Sequence, residues 1–327
     1  MNKLIKINID NEKLNLNVVN CVEIGICYCL DIYGRDYRQY FLLLLKLIQS
    51  YKTPGFSNQN IIYPVNIHKY MQLLLNEKLK VKINFYNYSE DGFYGLIEGL
   101  IEKRKPVLVT GNLKELYYSR NYKERDARHI VLINGYEKQK EIFRIINGEH
   151  CYIRNKPIYQ QFVIPYQALK DMYESFGAAF GDPFICDFEL IENKFEKASI
   201  LNECLSLYLN SNTGNEKYRE IIYIDQIIRK ISKEADCSNL DETFLRTVKY
   251  KDMFYTILAS SIAEVFGKDK SAQNVMSLKE KMVSLWEDIC NTCLLGLYKN
   301  EMFNIERRLK EVLALEKEME SELTILK

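Results

Sequence analysis

The chain changes character near residue 193. Its last proline is Pro183, and from Asn193 to Lys327 apolar residues recur at three- and four-residue steps: Leu201, Leu205 and Tyr208; Ile221, Ile224, Ile228 and Ile231; Phe254, Ile257, Leu258 and Ile262. A long proline-free run with that spacing can bury its apolar side only as helices packed on helices. Ahead of it the hydrophobic period switches between two and 3.6, which requires strands and helices around a common core. The sequence thus predicts an α+β domain over 1–190 and an all-α helical bundle domain over 191–327. Within the bundle, Ile305, Leu309, Val312, Met319, Leu323 and Leu326 fall near heptad spacing, with Glu316 in one apolar slot. Such a stripe is a core seam or, failing that, the face of a homodimer through residues 301–326.

The first half can be read element by element. Residues 3–9 and 13–19 alternate like strands. From Val22 the pattern becomes helical, with Ile24, Cys27, Tyr28 and Ile32 on one face and Gly34 as its stop. Residues 36–50 and 66–78 read as two more helices. KVKINFY at 80–86 is a strand, and Ser89 is placed to cap a helix that ends near Lys103. PVLVTG (106–111), HIVLING (129–135), EIFRIIN (141–147) and QQFVIPY (160–166) are strands, the middle two joined through YEKQK as an antiparallel hairpin. A short helix ending near Phe176 and one strand after GDPF (181–184) complete this half.

Charge and pattern exclude several functions. The formal net charge is +1, so the global basic excess of a nucleic-acid binder is absent. MNKLIKINIDNEKLNLNV lacks the apolar block of a secretion signal, and FLLLLKLI (41–48) is too short and interrupted to span a bilayer. The expected setting is the cytoplasm, where thiols stay reduced; nine cysteines at irregular spacing fit no disulfide framework. CYC (27–29) and CNTC (290–293) lack the second ligand pair of a structural zinc site, so no metal is expected there and these cysteines are read as small core residues. Neither a G-x-G-x-x-G nor a G-x-x-x-x-G-K-[ST] nucleotide loop occurs.

Three histidines are available for imidazole chemistry: His68, His129 and His150. His68 sits at a polar helix start and His150 in a loop, both read as surface positions. His129 opens an apolar strand directly after the charged loop YKERDAR, where a scaffold presents a working side chain. Cys21 stands at the predicted start of the first helix. There the dipole and unpaired N–H groups favour a thiolate and can bind an oxyanion. Cys27 and Cys29 lie deeper in the helix. Asn147 ends the strand that pairs with the His129 strand, so its amide is positioned to orient an imidazole. Cys at a helix start, His opening a strand and Asn ending the next strand follow the papain-like order.

The segment NCVEIGICYCLDIYG (20–34) resembles the nucleophile helix of the bacteriocin-leader-processing peptidases and of the family around the butirosin biosynthesis acyltransferase, in which a Cys opens a helix that closes at "YG". HIVLINGY followed by IFRIIN resembles the His strand and the acid- or amide-bearing strand of both groups. KRKPVLVTGNLKELYYSRNY, upstream of His129, is more similar to the acyltransferase family. In motif order and composition the chain is most similar to its closthioamide-type amide synthases. The resemblance spans about residues 15–165. It implies a papain-like domain with Cys21, His129 and Asn147 as catalytic triad, Asn departing from the usual Asp. It also implies an oxyanion hole from the Cys21 N–H and Asn15, where the peptidases carry Gln, with Asn17 or Asn20 as substitutes. The implied reaction takes an acyl group from a carrier-protein thioester through a Cys21 acyl-enzyme to an amine, in secondary-metabolite biosynthesis. No resident cofactor is expected, since phosphopantetheine arrives on the carrier.

Between residues 103 and 128 eight basic residues face three acidic ones. Lys103, Arg104, Lys105, Arg120, Lys123, Arg125 and Arg128 are the expected docking set for an acidic carrier protein. Tyr117, Tyr118 and Tyr122 are candidate walls of an acyl pocket, and Glu23, Glu124 and Asp126 are candidate partners for the amine. Two other readings fit the same residues: a cysteine peptidase or amidase, and a non-catalytic interaction protein.

Overall fold

The computed structural model of the protein describes residues 2–8, 21–42, 72, 74–86, 92–148, 158–192, 194, 196–210, 240–299 and 305–326. The chain divides into two compact units, Met1–Tyr37 with Leu75–Phe195, and Arg38–Leu74 with Glu196–Lys327. The sequence pattern places 1–190 in one continuous domain; the segment 38–74 instead goes with the second unit. Its described part shows why: Tyr40, Phe41 and Leu42 are buried, and the Leu42 carbonyl accepts from the Cys204 thiol of the second unit at 3.5 Å.

The first unit is α+β. Its strands are β1 (Asn2–Leu4), β2 (Val81–Tyr86), β3 (Val107–Asn112), β4 (Arg128–Glu137), β5 (Ile142–Gly148), β6 (Tyr159–Pro165) and β7 (Ile185–Leu190). They form one antiparallel sheet in the order β2-β7-β3-β4-β5-β6, with β1 pairing to the far end of β4. Its helices are α1 (Cys21–Ile32), α2 (Phe93–Glu102) and α3 (Tyr166–Phe180). Every residue of β3 is buried, as expected for a strand covered on both faces. Val107, Val109, Val131 and Ile133 pack with Phe93, Ile97 and Ile101 of α2 and Leu169 and Met172 of α3. Leu108 points to the opposite face by strand alternation. There α1 covers it so closely that a Cβ on Gly25 would stand 2.6 Å from Leu108 Cδ2.

The helix start and stop follow local chemistry. Gly34, at φ +63°, ends α1, with the Arg35 N–H bonded to the Leu30 carbonyl and the Gly34 N–H to the Asp31 carbonyl. This double bond pattern around a left-handed residue is the Schellman stop. Helix α2 starts at Phe93 behind Gly92 with no side-chain cap; Ser89, the expected cap, lies outside the described residues. Helix α3 runs to Phe180, a turn past the expected end, and stops at Gly181, φ +74°. The β4–β5 hairpin closes through a 3-10 turn, Lys138–Lys140, with Glu141 left-handed.

The second unit is helical in its described residues: 38–42, α4 (Lys197–Asn210), α5 (Leu240–Phe266), α6 (Asp269–Lys299) and α7 (Glu306–Thr324). Leu309, Val312, Met319 and Leu323 are buried along α7, so the near-heptad stripe is a core seam of the chain and does not offer its apolar face to a second copy. Glu316 lies on that seam. Its carboxylate accepts from Lys251 Nζ at 2.8 Å, Tyr255 OH at 2.9 Å and Tyr208 OH at 3.2 Å. An acid on an apolar stripe is thereby tolerated: burying a carboxylate costs several kcal/mol unless it is paired and hydrogen-bonded. No described helix is long and apolar enough to cross a membrane.

Candidate active site

Cys21 is the first residue of α1 and the one described cysteine that is only half-buried; Cys27, Cys29, Cys186, Cys204, Cys290 and Cys293 are buried. The backbone N–H groups of Ile130, Val22 and Cys21 itself lie near enough to its sulfur to favour the thiolate form. The two local donors are the unpaired amides of a helix start. The third comes from the sheet, and strand geometry explains why it is available. The Thr110 N–H bonds to the Phe184 carbonyl at 3.1 Å, away from β4, so the N–H of its cross-strand partner Ile130 must turn away from β3, toward β5. The β4–β5 ladder stops at the pair Leu132–Ile146. Ile130 therefore has no rung to join, and the Cys21 sulfur takes its amide in the slot where the two strands part.

His129 is the residue that precedes Ile130 in β4. His129 Nε2 lies 2.7 Å from Asn147 Oδ1. The Gly148 N–H also donates to Oδ1, at 2.9 Å, and Asn147 Nδ2 donates to Tyr118 OH at 2.8 Å. The sense of the amide follows: rotated by half a turn, its NH2 would face the Gly148 N–H, donor against donor. With Oδ1 fixed as an acceptor, Nε2 carries the ring proton, and Nδ1 keeps its lone pair for a base.

The resting charge state differs from the sequence expectation. Burial pushes the Cys21 thiol up to about 11; the three N–H groups pull it down but do not win, and the Glu23 carboxylate adds to the rise. Burial pushes His129 down to about 4, with the Asn147 bond opposing it. A helix start by itself favours a thiolate. Desolvation dominates here, and the pair rests as neutral thiol and neutral imidazole near pH 7. The other thiols are no better activated: burial raises Cys290 to about 12 and Cys293 to about 11, and Cys27, Cys29 and Cys186 lie well above the ordinary range. What distinguishes Cys21 is access, since it alone among the described cysteines is not fully buried.

The remaining expected residues divide. Tyr118 belongs to the cluster through Asn147 and stacks on Phe162, ring centroids 4.3 Å apart and planes at 9°. Tyr117 is exposed and donates to the Val163 carbonyl at 3.0 Å. Tyr122 is exposed with Lys123 over its ring. Glu23 is buried inside α1, which removes it from contact with a solvent-borne amine. Asp126 accepts from Asn112 Nδ2 at 2.9 Å and pairs with Lys114.

The basic set does not form one patch. Lys103, Arg104 and Lys105 precede β3, whereas Arg120, Lys123, Arg125 and Arg128 follow it near His129, a six-residue strand or about 20 Å away. Lys105 pairs with the buried Asp187 at 2.9 Å and with Glu189. Lys123 pairs with Glu115, Arg125 Nε donates to Asn121 Oδ1 at 2.6 Å, and Arg128 lies over the Phe180 ring. Asn15, Asn17, Asn20, His68 and His150 lie outside the described residues.

Three participants have no sequence signature. The Ile130 amide is a backbone group. Gly148 acts through its N–H. Tyr159, paired with Gly148 across β5–β6, is buried and has Cys21, Tyr28 and Tyr118 as electrostatic neighbours. Its place at the head of the QQFVIPY strand is the one hint the sequence offers. No protein-family model matches the chain, and no curated protein does.

Proposed function

We propose that the first unit is a papain-like cysteine acyltransferase domain that takes an acyl group from a carrier-protein thioester and passes it to an amine. One observation carries the reading: a half-buried cysteine at a helix start has the Ile130 amide as its neighbour, and the preceding residue in that strand is a histidine hydrogen-bonded to an asparagine amide. The geometry suits a nucleophile, a base and an orienting group acting in sequence.

Because thiol and imidazole both rest neutral, forming the separated ion pair first would cost on the order of 10 kcal/mol. Attraction between the charges offsets part of that. The proton therefore moves to His129 Nδ1 as the sulfur attacks the thioester carbonyl. Backbone N–H groups at the start of α1 stabilise the oxyanion. Collapse breaks the carbon–sulfur bond to the carrier, and the imidazolium returns its proton to the departing thiol. The amine then attacks the Cys21 acyl-enzyme, His129 takes its proton, and the Cys21 thiol leaves re-protonated as the amide forms.

The test is intact-mass analysis after incubation with a carrier protein bearing an acylated phosphopantetheine arm, with and without a diamine. Expected is an acyl adduct on Cys21 that is discharged as amide when amine is added. Peptide hydrolysis without amide would favour a peptidase or amidase, and no adduct with any thioester would leave a non-catalytic protein.

A further inference from the structure

Asn147 is held on both sides. Its Oδ1 accepts from His129 Nε2 at 2.7 Å and from the Gly148 N–H at 2.9 Å, and its Nδ2 donates to Tyr118 OH at 2.8 Å. The Gly148 amide decides which way the carboxamide faces, because only an oxygen can lie against an N–H. A hydroxyl both gives and accepts, so Tyr118 has no say in that choice. What Tyr118 controls is rotation of the amide plane, since it is the described partner that grips the nitrogen end. Tyr118 is itself fixed: its ring lies flat on Phe162, centroids 4.3 Å apart, and meets Tyr117 edge-on at 5.0 Å, while Tyr117 is tied by its hydroxyl to the Val163 carbonyl. A chain of contacts thus runs from the body of β6 to the imidazole.

We propose that Tyr118 is a positioning residue: its hydroxyl, clamped by the Phe162 stack, holds the Asn147 amide in the plane that keeps the proton on Nε2 of His129 and the lone pair on Nδ1. The role explains why an amide suffices where a carboxylate would serve as well. A carboxylate has two equivalent oxygens and tolerates rotation, whereas a carboxamide must keep both its sense, which the Gly148 N–H sets, and its plane, which Tyr118 holds. The inference deepens the acyl-transfer reading and rests on it for its consequence in rate, but the positioning itself is a property of the resting protein.

The experiment is ring-nitrogen NMR of the full chain labelled with 15N-histidine, the His129 signals being identified by their loss in His129→Gln. In the wild type, Nε2 is expected at the protonated position and Nδ1 at the unprotonated one above pH 5. In Tyr118→Phe, which keeps the stack and removes the hydroxyl, the two shifts should move toward each other as the tautomers mix. The rate of acyl-adduct formation should fall about tenfold, the worth of one buried hydrogen bond, with little change in the donor concentration for half-maximal rate. In an Asn147→Asp background the same Tyr118→Phe change should cost less than about threefold, since only the amide needs orienting. Should Tyr118→Phe not fold, Phe162→Leu, which leaves the hydroxyl without its clamp, should shift the ring signals in the same direction by less. Unchanged ring shifts in both variants overturn the proposal. So does a rate loss of the same size with and without the Asn147→Asp change, which would make Tyr118 a pocket wall. If the wild type forms no adduct but the ring shifts respond, the acyl-transfer reading falls and the positioning role stands.

Discussion

One polar cluster from each unit, taken from among the described residues, can be set side by side, and the two are built on opposite plans. In the helical unit, Glu316, Lys251, Tyr208 and Tyr255 are all buried, and both carboxylate oxygens are occupied. That cluster is charged and closed: each group has what it needs and none faces solvent. In the sheet unit, Cys21, His129, Asn147 and Tyr118 are neutral at rest. One member, Cys21, is only half-buried, and one ring nitrogen of His129 is left a lone pair by the amide that holds the other. Charge that is fully paired fixes a structure; neutral groups, one of them within reach of solvent, are what the proposed acyl transfer would draw on.

Substitutions separate the two plans. The largest effect belongs to Cys21→Ala, which should abolish the acyl adduct seen by intact mass while leaving the thermal transition in place; an adduct on another cysteine would break the contrast. His129→Gln should slow adduct formation by roughly 10²–10⁴, the range for losing a positioned base, measured by single-turnover kinetics. Glu316→Ala should do the reverse. It strands Lys251 in the helical core, and urea unfolding of the helical unit should show a loss of about 3–5 kcal/mol. The double change Lys251→Met with Glu316→Leu should recover most of that, because removing both charges leaves nothing unpaired. An unfolding curve that does not move on Glu316→Ala would mean that the charged cluster is no pin.

Acidity sharpens the contrast further. His129 titrates at about 4 in the folded protein against an ordinary 6.5. Between those values the unfolded chain binds a proton that the folded one does not, so stability falls as pH drops from 6.5 to 4. Over that whole span the loss is about 3 kcal/mol, and it should be absent in His129→Gln when denaturation midpoints are compared. Cys21 acts at the other end: its thiol is held up to about 11, so above pH 9 the unfolded chain releases protons first and stability falls again, a limb shared with the other buried thiols. The smallest effect concerns the divided basic set. Reversing Arg120 and Arg128 together should lower the second-order rate with a carrier-bound thioester by about 3–10-fold at low salt. Reversing Lys103 and Arg104, at the other end of β3, should leave it unchanged. Equal effects would mean that the carrier spans both ends of the strand.

What the sequence discloses follows from how local each cause is. Helix α1 is legible because its periodic face and Gly34 both lie within it, and the β4–β5 hairpin because HIVLING, YEKQK and EIFRIIN are contiguous. Pairing His129 with Asn147 follows from that hairpin. The Ile130 amide cannot be foreseen, since its availability depends on where a ladder stops and on a Thr110 bond that points the other way. Glu316 reads as a flaw in an apolar stripe, for its partner Lys251 is 65 residues away. The basic stretch reads as one patch because sequence counts residues, while an extended strand counts ångströms: six residues of β3 hold its ends far apart. The thiolate expectation fails for a related reason. A helix start is visible in sequence, but the depth at which its first side chain is buried is set by the sheet that the helix meets.

The parting of β4 from β5 has a consequence beyond the thiol it admits. Had the hairpin stayed in step for two more pairs of residues, Gly148 would have claimed the Ile130 amide, and the sheet would have been sealed where the sulfur now enters. The gap requires no dedicated side chain; it is a pairing withheld. A change that persuades the two strands to zip further should silence the cysteine without touching it.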